Sequence, residues 1–502
     1  MTWFFGRYKS LLFALTLAFA LAVGIRFYDL TDLPLDFAAT RQLFSALKAR
    51  GMYYAMLPTD SEIPAWQREM AVRQWKSMQE IEPTVIESLT AFTYRVVGEH
   101  LWIARVYSSL FWVLAGIFLF LLAQELAGPS GAFISLLFYL LLPYGIISSR
   151  AFQPDSLMVA LIVAGIWATF RWTNARTWKW ALAAGILNGL AIFVKNVAVF
   201  PLAFAAIALV LEFGLVKSLK DKQIWALAGL SILPTAIYSI YGLLIAGFLG
   251  QQFAFRFFPQ LWPDPAFYLR WKGQIESVIG FGAFAVAMAG VFVAKRRGMA
   301  LLTGLFAGYF VFGMTFAYHI ISHDYYQMML IPIVALGLAP VAETLFETAN
   351  RLRGGWFARI SLAALITLVA FIQIWNVRVE LARNDWRQEP EFWSALGEKL
   401  GHDGPVLTVA QDYGYRLAYW GWQEVDSWYD SGDLTLRALD GRQIDVMQRF
   451  QEQAQGKHFL VVTQSAKFEE QAEIKEFVEK TYPVFDEGSG YIVYDLQHPF
   501  IR

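Results

Sequence analysis

The chain has 502 residues, of which 57% are hydrophobic and only 16% are charged. A soluble globular protein carries about 25% charged residues, and here the apolar residues form blocks of about 20, long enough to cross a bilayer, so the sequence predicts a polytopic membrane protein. The chain has no cysteine, which excludes disulfides, thiol catalysis and cysteine metal sites, and its net charge of +0 argues against a nucleic-acid partner.

Eleven apolar runs are predicted to be transmembrane helices. The first run follows Arg7 and Lys9 and contains Ala20-Leu21-Ala22, so a cleaved signal peptide is the alternative for this run. Its length, up to Tyr28, favours a transmembrane helix. The predicted spans cover residues 11–28, 101–126, 130–147, 154–171, 180–195, 197–215, 224–248, 277–294, 299–318, 326–346 and 357–376.

Alternate connections between these runs are basic. Lys and Arg concentrate in the cytoplasmic loops of membrane proteins, so the pattern predicts a cytoplasmic N-terminus and an extracytoplasmic C-terminus in the cell (inner or plasma) membrane. Only the tight turn at 125–129 adds no positive charge on the cytoplasmic side. The basic connections contain Arg171, Arg176 and Lys179; Lys217, Lys220 and Lys222; Lys295, Arg296 and Arg297; and Arg351, Arg353 and Arg359.

Two regions are predicted to lie outside the membrane. The loop 29–100 is rich in Trp, Tyr and charged residues at helical spacing, which favours helices in the headgroup plane, with a small soluble subdomain as the alternative. In the tail, strand-like runs at 405–410, 459–463 and 490–496 alternate with helical patterns such as 469–480. We therefore predict a membrane domain over residues 1–380, which includes the loop, and an α/β domain over 381–502.

Charged groups occur at the points where the predicted spans emerge on the outer side. An acidic turn at 29–36 follows the first span and ends in Asp36. Arg150 and Asp155 flank the start of the fourth span, and an ion pair that only stabilises this turn is the alternative interpretation. Lys195 interrupts an apolar run, where an ionisable group is costly and usually functional, unless its side chain extends to the headgroups. His323 lies in a segment of histidines and tyrosines, 319–327, which could also be an aromatic belt.

Cations and hydrogen-bond donors facing a carboxylate suit the transfer of a group from a phosphate. The departing phosphate develops negative charge and needs preorganised cations, whereas the incoming hydroxyl or amine needs a base within hydrogen-bond reach. At a membrane surface, a phosphate-bearing substrate of this kind is a polyprenyl phosphate that carries a sugar. A transporter or flippase for a lipid-linked sugar is the alternative from another class, and a glycan polymerase or ligase is a further enzymatic alternative.

The ordered set of motifs resembles the GT-C glycosyltransferases, in the branch of the bacterial protein O-mannosyltransferases and the lipid A aminoarabinose transferases. The resemblance extends over about residues 10–345, and no one motif is specific alone. The matching stretches are Leu33-Pro34-Leu35-Asp36 with Thr40-Arg41-Gln42, Ile81-Glu82-Pro83-Thr84, the segment 98–105, the segment 149–155, Val194-Lys195-Asn196 and the segment 323–327.

The resemblance implies an α-helical polytopic GT-C membrane protein with about eleven transmembrane helices and a small extracytoplasmic C-terminal α/β domain. It implies an inverting transferase that is embedded in the lipid bilayer and takes its sugar from a polyprenyl phosphate. No motif specifies the acceptor. Asp36 would be the catalytic base and Asp155 a second catalytic acid. Arg150 and Lys195 would bind the lipid phosphate.

Four further residues are implied with less defined roles. His323 and Tyr325 would lie near the phosphate, Arg41 would orient Asp36 or contact the phosphate, and Glu82 would be a site residue. Many relatives have a second acid beside the first-loop Asp, but Phe37 and Ala38 follow Asp36 here, and Thr84 replaces a second proline. No cofactor is required by this pattern, and a divalent cation, although compatible with it, is not supported by the sequence.

Overall fold

The computed structural model describes residues 8–58, 62–80, 82–250, 255–351, 355–383, 385–441 and 444–500. In chain order its helices are α1 (Tyr8–Phe27), α2 (Ala39–Ala55), α3 (Ala65–Ser77), α4 (Val85–Val97), α5 (Trp102–Leu126), α6 (Pro129–Leu141), α7 (Pro143–Ser148), α8 (Asp155–Ala175), α9 (Trp178–Val194), α10 (Val199–Leu211), α11 (Leu215–Leu219), α12 (Lys222–Ile240), α13 (Pro265–Val278), α14 (Phe281–Val293), α15 (Arg296–Thr315), α16 (Ala317–Ser322), α17 (Leu330–Arg351), α18 (Gly355–Leu381), α19 (Glu389–Leu400), α20 (Tyr415–Trp420), α21 (Ser431–Leu439), α22 (Val446–Ala454), α23 (Ser465–Glu469) and α24 (Ala472–Thr481). The strands are β1 (Val406–Val409), β2 (Val425–Ser427), β3 (Phe459–Val462), β4 (Val484–Gly488) and β5 (Tyr491–Asp495).

The contacts between residues divide the chain into two compact units. The first, which we call the membrane unit, comprises Met1–Thr31, Glu80–Val85 and Ala104–Arg383. The second, which we call the loop–tail unit, comprises Asp32–Gln79, Ile86–Ile103 and Asn384–Arg502.

The membrane unit consists of apolar helices. Among the described residues, seven helical segments are long and apolar enough to cross a membrane, and α13 with α14 forms an eighth candidate bent by 96°. The helices α6, α9 and α10 are apolar but shorter. Each predicted span falls on one of these helices, so the helical membrane-protein class is confirmed, while the number of spans stays a prediction.

Glycines allow α10 and α15 to approach closely. A Cβ built on Gly304 would lie 2.5 Å from the carbonyl oxygen of Phe204, and one on Gly308 would lie 2.6 Å from that of Phe200. Small residues permit this backbone approach in membrane helix pairs. The packing holds the start of α10, directly after the Lys195 segment, against α15.

Polar residues lie where the apolar helices of this unit are interrupted. One interruption separates α7 from α8, and a second lies between α9 and α10 at Lys195, whose backbone is extended with φ −154° and ψ 115°. A third, between α15 and α17, contains α16 and a 3₁₀ turn at Asp324–Gln327. Irregular backbone at membrane depth is tolerated where it is buried in protein or lines a cavity, so these three breaks are the places to look for a site.

The loop–tail unit contains a five-stranded sheet with the order β2-β1-β3-β5-β4. The strand β1 is parallel to β2 and β3, and β5 is antiparallel to β3 and β4. Hydrophobic residues cover both faces, with Leu407, Leu460 and Tyr494 on one and Val406, Val461 and Val493 on the other. The small C-terminal sheet is therefore confirmed, and the predicted runs correspond to β1, β3, β5 and α24.

The helices α2 and α3 of the loop 29–100 pack against the tail. Gln74 of α3 donates hydrogen bonds to the carbonyl oxygens of Ala418 and Gln423 at 2.9 and 2.8 Å, and Thr40 of α2 donates to Asp412 at 2.9 Å. By contacts, most of the loop thus groups with the tail, and the predicted domain boundary at residue 380 stays a prediction. These polar contacts join residues more than 300 positions apart.

Candidate functional site

The site is built around Lys195, at the break between α9 and α10. Its Nζ lies 2.9 and 3.0 Å from the carboxylate oxygens of Asp155 and 3.8 Å from Glu82 Oε1. Lys195 is 7% exposed and Asp155 only 2%. Buried charges require partners, so this arrangement favours a buried, paired lysine over one that extends to the headgroups.

Asp155 occupies the first turn of α8, directly after Pro154. A carboxylate there is stabilised by the positive end of the helix dipole as well as by Lys195. The two carboxylates and one ammonium carry a formal charge of −1 together. A phosphate placed beside them would therefore need further cations.

Aromatic side chains form the next layer of the site. The Lys195 ammonium lies 5.4 Å from the ring centre of Tyr325 and 5.9 Å from that of Tyr326, distances at which a cation interacts with a ring face. Tyr144 of α7 lies near enough to Asp324, at the start of the same 3₁₀ turn, for the two groups to interact electrostatically. This 3₁₀ turn therefore faces both the Lys195 break and the end of α7.

Two histidines and an arginine extend the cluster beyond Tyr326. The ring of His319 is stacked with those of His323 and Tyr326, at centre distances of 5.7 and 5.6 Å. Arg256 Nη1 lies 3.5 Å from His319 Nε2 and 3.4 Å from the Tyr326 hydroxyl. Burial, with Arg256 and His323 nearby, lowers the pKa of His319 to about 3. His319 is therefore neutral, so its Nε2 can accept a hydrogen bond from Arg256.

Arg150 lies in the turn that leads into α8 and is 1% exposed. Its Nη2 donates to the backbone carbonyl of Asp29 at 2.7 Å. Beside it, Arg26 of α1 donates from Nε to the Ser149 hydroxyl at 2.8 Å. The turn between α7 and α8 is thus tied to the end of α1.

The structure brings together five of the eight predicted site residues: Glu82, Asp155, Lys195, His323 and Tyr325. Arg150 lies in the same unit, in the turn before Asp155. Asp36 and Arg41 belong to the loop–tail unit. Asp36 accepts a hydrogen bond from Gln42 Nε2 at 3.4 Å, and the Arg41 guanidinium lies 5.9 Å from the ring of Phe44, so the roles predicted for these two stay predictions.

Sequence reasoning missed Arg256, and it did not select His319 or Tyr326 within the 319–327 segment. Arg256 lies in the connection 249–276, which has no periodicity from which to choose a residue. The one available signal was a single arginine among phenylalanines. Among the described residues, no group of three or more His, Asp or Glu side chains is spaced to hold a metal ion, and the predicted independence from metals stays a prediction.

Comparison with known proteins gives one family and a fold. The family model for dolichyl-phosphate-mannose-protein mannosyltransferases matches residues 82–241. This segment includes Glu82, Arg150, Asp155 and Lys195. A search of curated protein sequences finds no match.

Three solved structures are similar to almost the whole chain. ArnT from Cupriavidus metallidurans, bound to undecaprenyl phosphate, is 13% identical with a TM-score of 0.57, and the match covers 96% of this chain and 97% of that one. The oligosaccharyltransferase AglB from Archaeoglobus fulgidus, in complex with an inhibitory peptide and a dolichol-phosphate, is 12% identical with a TM-score of 0.55. That match covers 96% of this chain and 74% of AglB. The arabinofuranosyltransferase AftD from Mycobacteria is 15% identical with a TM-score of 0.50, and the match covers 96% of this chain and 41% of AftD.

At these identities the structures establish the fold, and the family model shows a likeness to the protein mannosyltransferases over residues 82–241. The resemblance described from the sequence motifs is therefore confirmed. The chain is similar in fold to these GT-C glycosyltransferases, and its residues 82–241 are similar to the protein mannosyltransferase family.

Proposed function

We propose that the protein is an inverting glycosyltransferase that moves a sugar from a polyprenyl phosphate to an acceptor on the outer face of the membrane. The observation that carries this proposal is the buried Lys195, paired with Asp155 and Glu82 and flanked by Tyr325 and Tyr326. A buried ionisable cluster in a membrane protein is costly and is retained for function.

The donor phosphate would lie between Lys195 and Arg256. The Lys195 ammonium holds Asp155 closely but Glu82 only at 3.8 Å, so a phosphate oxygen can replace the Glu82 carboxylate. Arg256, beside Tyr326, supplies the further positive charge that the cluster needs. Arg150, predicted from the sequence to bind the same phosphate, lies in the adjoining turn. Undecaprenyl phosphate in ArnT and dolichol-phosphate in AglB are ligands of this chemical class.

The prenyl chain would occupy a crevice of about 650 Å³ between α13, α14 and α15. Its walls are mainly aromatic and aliphatic, and they include Trp271, Tyr309 and Phe310. Trp271 Nε1 donates to the Tyr309 hydroxyl at 2.8 Å, and this hydroxyl donates to Gln327. The crevice is thereby linked to the 3₁₀ turn that carries Tyr325 and Tyr326.

The proposed reaction is a single displacement. The acceptor oxygen or nitrogen attacks the anomeric carbon, and the bond from that carbon to the phosphate oxygen breaks with inversion. The acceptor proton passes to a carboxylate, for which we propose Asp36, and the electron pair leaves with the phosphate. Lys195 and Arg256 stabilise the charge that develops on the departing phosphate.

We propose a cytoplasmic N-terminus and an extracytoplasmic C-terminal domain, since the basic connections alternate along the chain. This orientation places Lys195 and its neighbours on the side opposite the basic loops. A lipid-linked donor and a water-borne acceptor can meet there.

The test is release of the lipid product. The purified chain is incubated with a panel of radiolabelled polyprenyl-phosphate sugars and acceptor mixtures, and free polyprenyl phosphate is measured. We expect turnover with at least one donor, and a loss of about tenfold or more in Arg256→Gln, since a charge-assisted hydrogen bond to the phosphate is removed. Arg270→Gln is the matched control because Arg270 is exposed on α13.

Two results would contradict the proposal. Turnover of a polyprenyl-diphosphate donor in place of a monophosphate would indicate a polymerase or ligase. Transfer of labelled lipid across a vesicle bilayer without release of the lipid phosphate would indicate a transporter.

A further inference from the structure

An apolar crevice that the reaction does not use lies between α9, α10 and α12. Its volume is about 380 Å³, and its lining includes Ile192, Ala203, Ala206, Trp225 and Leu227. Along α10 the lining extends from Val199 to Leu211, a length of about 18 Å at 1.5 Å per residue. Ile207 and Leu211 on its rim are more than half exposed, so the crevice opens towards the lipid.

The two ends of this crevice differ in charge. At one end Lys195 is already paired with Asp155 and Glu82. The other end is lined by Leu215, Ser218 and Leu219 of the basic connection that contains α11. This connection also carries the exposed lysines Lys217, Lys220 and Lys222.

The carboxylates of that connection are held by arginines. Asp221 forms an ion pair with Arg176, and Glu212 forms ion pairs with Arg296 and Arg297. Within residues 82–250 and 255–351, no ion pair joins the three lysines to a carboxylate. The opening at this end is therefore positively charged without internal compensation.

Two tryptophans lie at this end of the crevice. Trp172 and Trp225 both line the crevice, and their ring nitrogens donate to Gln223 Oε1 at 2.8 Å and to the Leu219 carbonyl at 2.9 Å. Tryptophan with an apolar ring face and a satisfied N–H is typical of the membrane–water interface. Leu215, Val216 and Leu219 of α11 are exposed apolar residues, which fits a segment at the membrane surface.

We propose that this crevice binds an anionic phospholipid of the leaflet on the basic-loop side. One acyl chain would lie along α10 between α9 and α12, and the phosphate would contact Lys217, Lys220 and Lys222. The charge distribution selects this occupant over the polyprenyl phosphate of the proposed reaction, because the uncompensated cations are at the end away from Lys195. It also selects an anionic headgroup over a zwitterionic one, since each surface lysine attracts anionic lipid independently.

The experiment measures lipid retention and does not depend on activity. Dioleoyl phosphatidylglycerol is titrated into the detergent-purified full chain, and bound lipid is counted by native mass spectrometry, with dioleoyl phosphatidylcholine in parallel. The test variant combines Lys217→Gln, Lys220→Gln and Lys222→Gln. The control combines Lys467→Gln, Lys475→Gln and Lys480→Gln, which removes the same charge from the tail. A second pair compares Ala206→Phe, which fills the crevice, with Leu233→Phe on the exposed face of α12.

We expect the triple lysine variant and Ala206→Phe each to weaken phosphatidylglycerol binding by about tenfold or more, while both controls retain it. The lysines are exposed, so their substitution leaves the fold intact, and gel-filtration profiles verify this. Equal retention of the two phospholipids, or unchanged affinity in the triple variant, overturns the proposal. Displacement of phosphatidylglycerol by an equimolar polyprenyl phosphate also overturns it, because the crevice would then belong to the donor.

Discussion

Lys195 in the membrane unit and Arg50 in the loop–tail unit are both buried cations beside a carboxylate, yet their surroundings differ. Arg50 is 5% exposed. Its Nε lies 2.8 Å from Glu99, its Nη1 donates to the Tyr419 carbonyl, and its guanidinium lies 3.5 and 4.4 Å from the rings of Tyr419 and Trp422. Lys195 has one close carboxylate, one at 3.8 Å and two more distant rings.

The difference separates a structural ion pair from a site that can exchange partners. Burial alone would lower the pKa of Arg50, but Glu99 and Tyr419 outweigh it and hold the pKa above its usual value. A planar guanidinium fixed by hydrogen bonds and stacked rings is an anchor, here between α2, Glu99 and the tail. The Lys195 ammonium is a point charge with one loosely held carboxylate, so an incoming anion can replace that contact.

The largest effect is expected at Asp36, just before the helix that Arg50 anchors. Asp36→Asn removes the proposed base, so transfer should fall by about 10²–10⁴. Release of polyprenyl phosphate measures this loss, and the thermal unfolding midpoint should stay near that of the parent chain because Asp36 is only partly buried.

Asp32→Asn is the matched control for this change. Asp32 pairs with Arg387 at 3.4 Å, and the Arg387 side chain is more than half exposed, so this pair contributes about 0–1 kcal/mol. Normal transfer by Asp36→Asn, or equal losses in both variants, would show that Asp36 is not the base.

Arg50→Met should mainly reduce stability. Removing one partner of a buried ion pair costs about 3–5 kcal/mol, because Glu99 is left without the guanidinium and the contact with the Tyr419 carbonyl is lost. We expect faster cleavage of the loop 32–79 by protease in the full-length chain. Arg73→Met, whose pair with Glu424 is about half exposed, should cost about 1 kcal/mol or less. If the two variants are cleaved at the same rate, Arg50 is not an anchor.

This comparison also shows how far the sequence could predict the site. Lys195 and Asp155 were identifiable because a charged residue in or beside an apolar run stands out in the hydropathy pattern. Glu82 was implied only by the family resemblance. Arg256 became visible only through its contact with His319, 63 residues later. The packing of α3 against the tail depends on contacts such as Gln74 with Ala418, 344 residues apart, and no local pattern encodes such a pairing.

Lys195→Met should reduce transfer by about 10²–10³, the usual cost of losing a preorganised stabiliser of transition-state charge. It also leaves Asp155 buried without its cation, so the variant should be less stable. The double variant Lys195→Met with Asp155→Asn removes both charges and should recover thermal stability. Recovery of transfer along with stability in the double variant would show that Lys195 is a structural partner of Asp155, as Arg50 is of Glu99.

The smallest effect is a pH dependence from His319, whose folded pKa of about 3 lies well below the 6.5 of an unperturbed histidine. Below pH 6.5 the unfolded chain binds a proton that the folded chain does not, so this contribution to stability is present above pH 6.5 and is lost as the pH falls. Between pH 6.5 and 5 the loss is about 2 kcal/mol, measured as a lower thermal unfolding midpoint in detergent. His319→Phe should remove this slope, whereas His402→Phe, in the other unit, should retain it. If the unfolding midpoint of His319→Phe falls with pH as in the parent chain, another group causes the acid sensitivity. Protonation of His319 beside Arg256 would then not destabilise the fold.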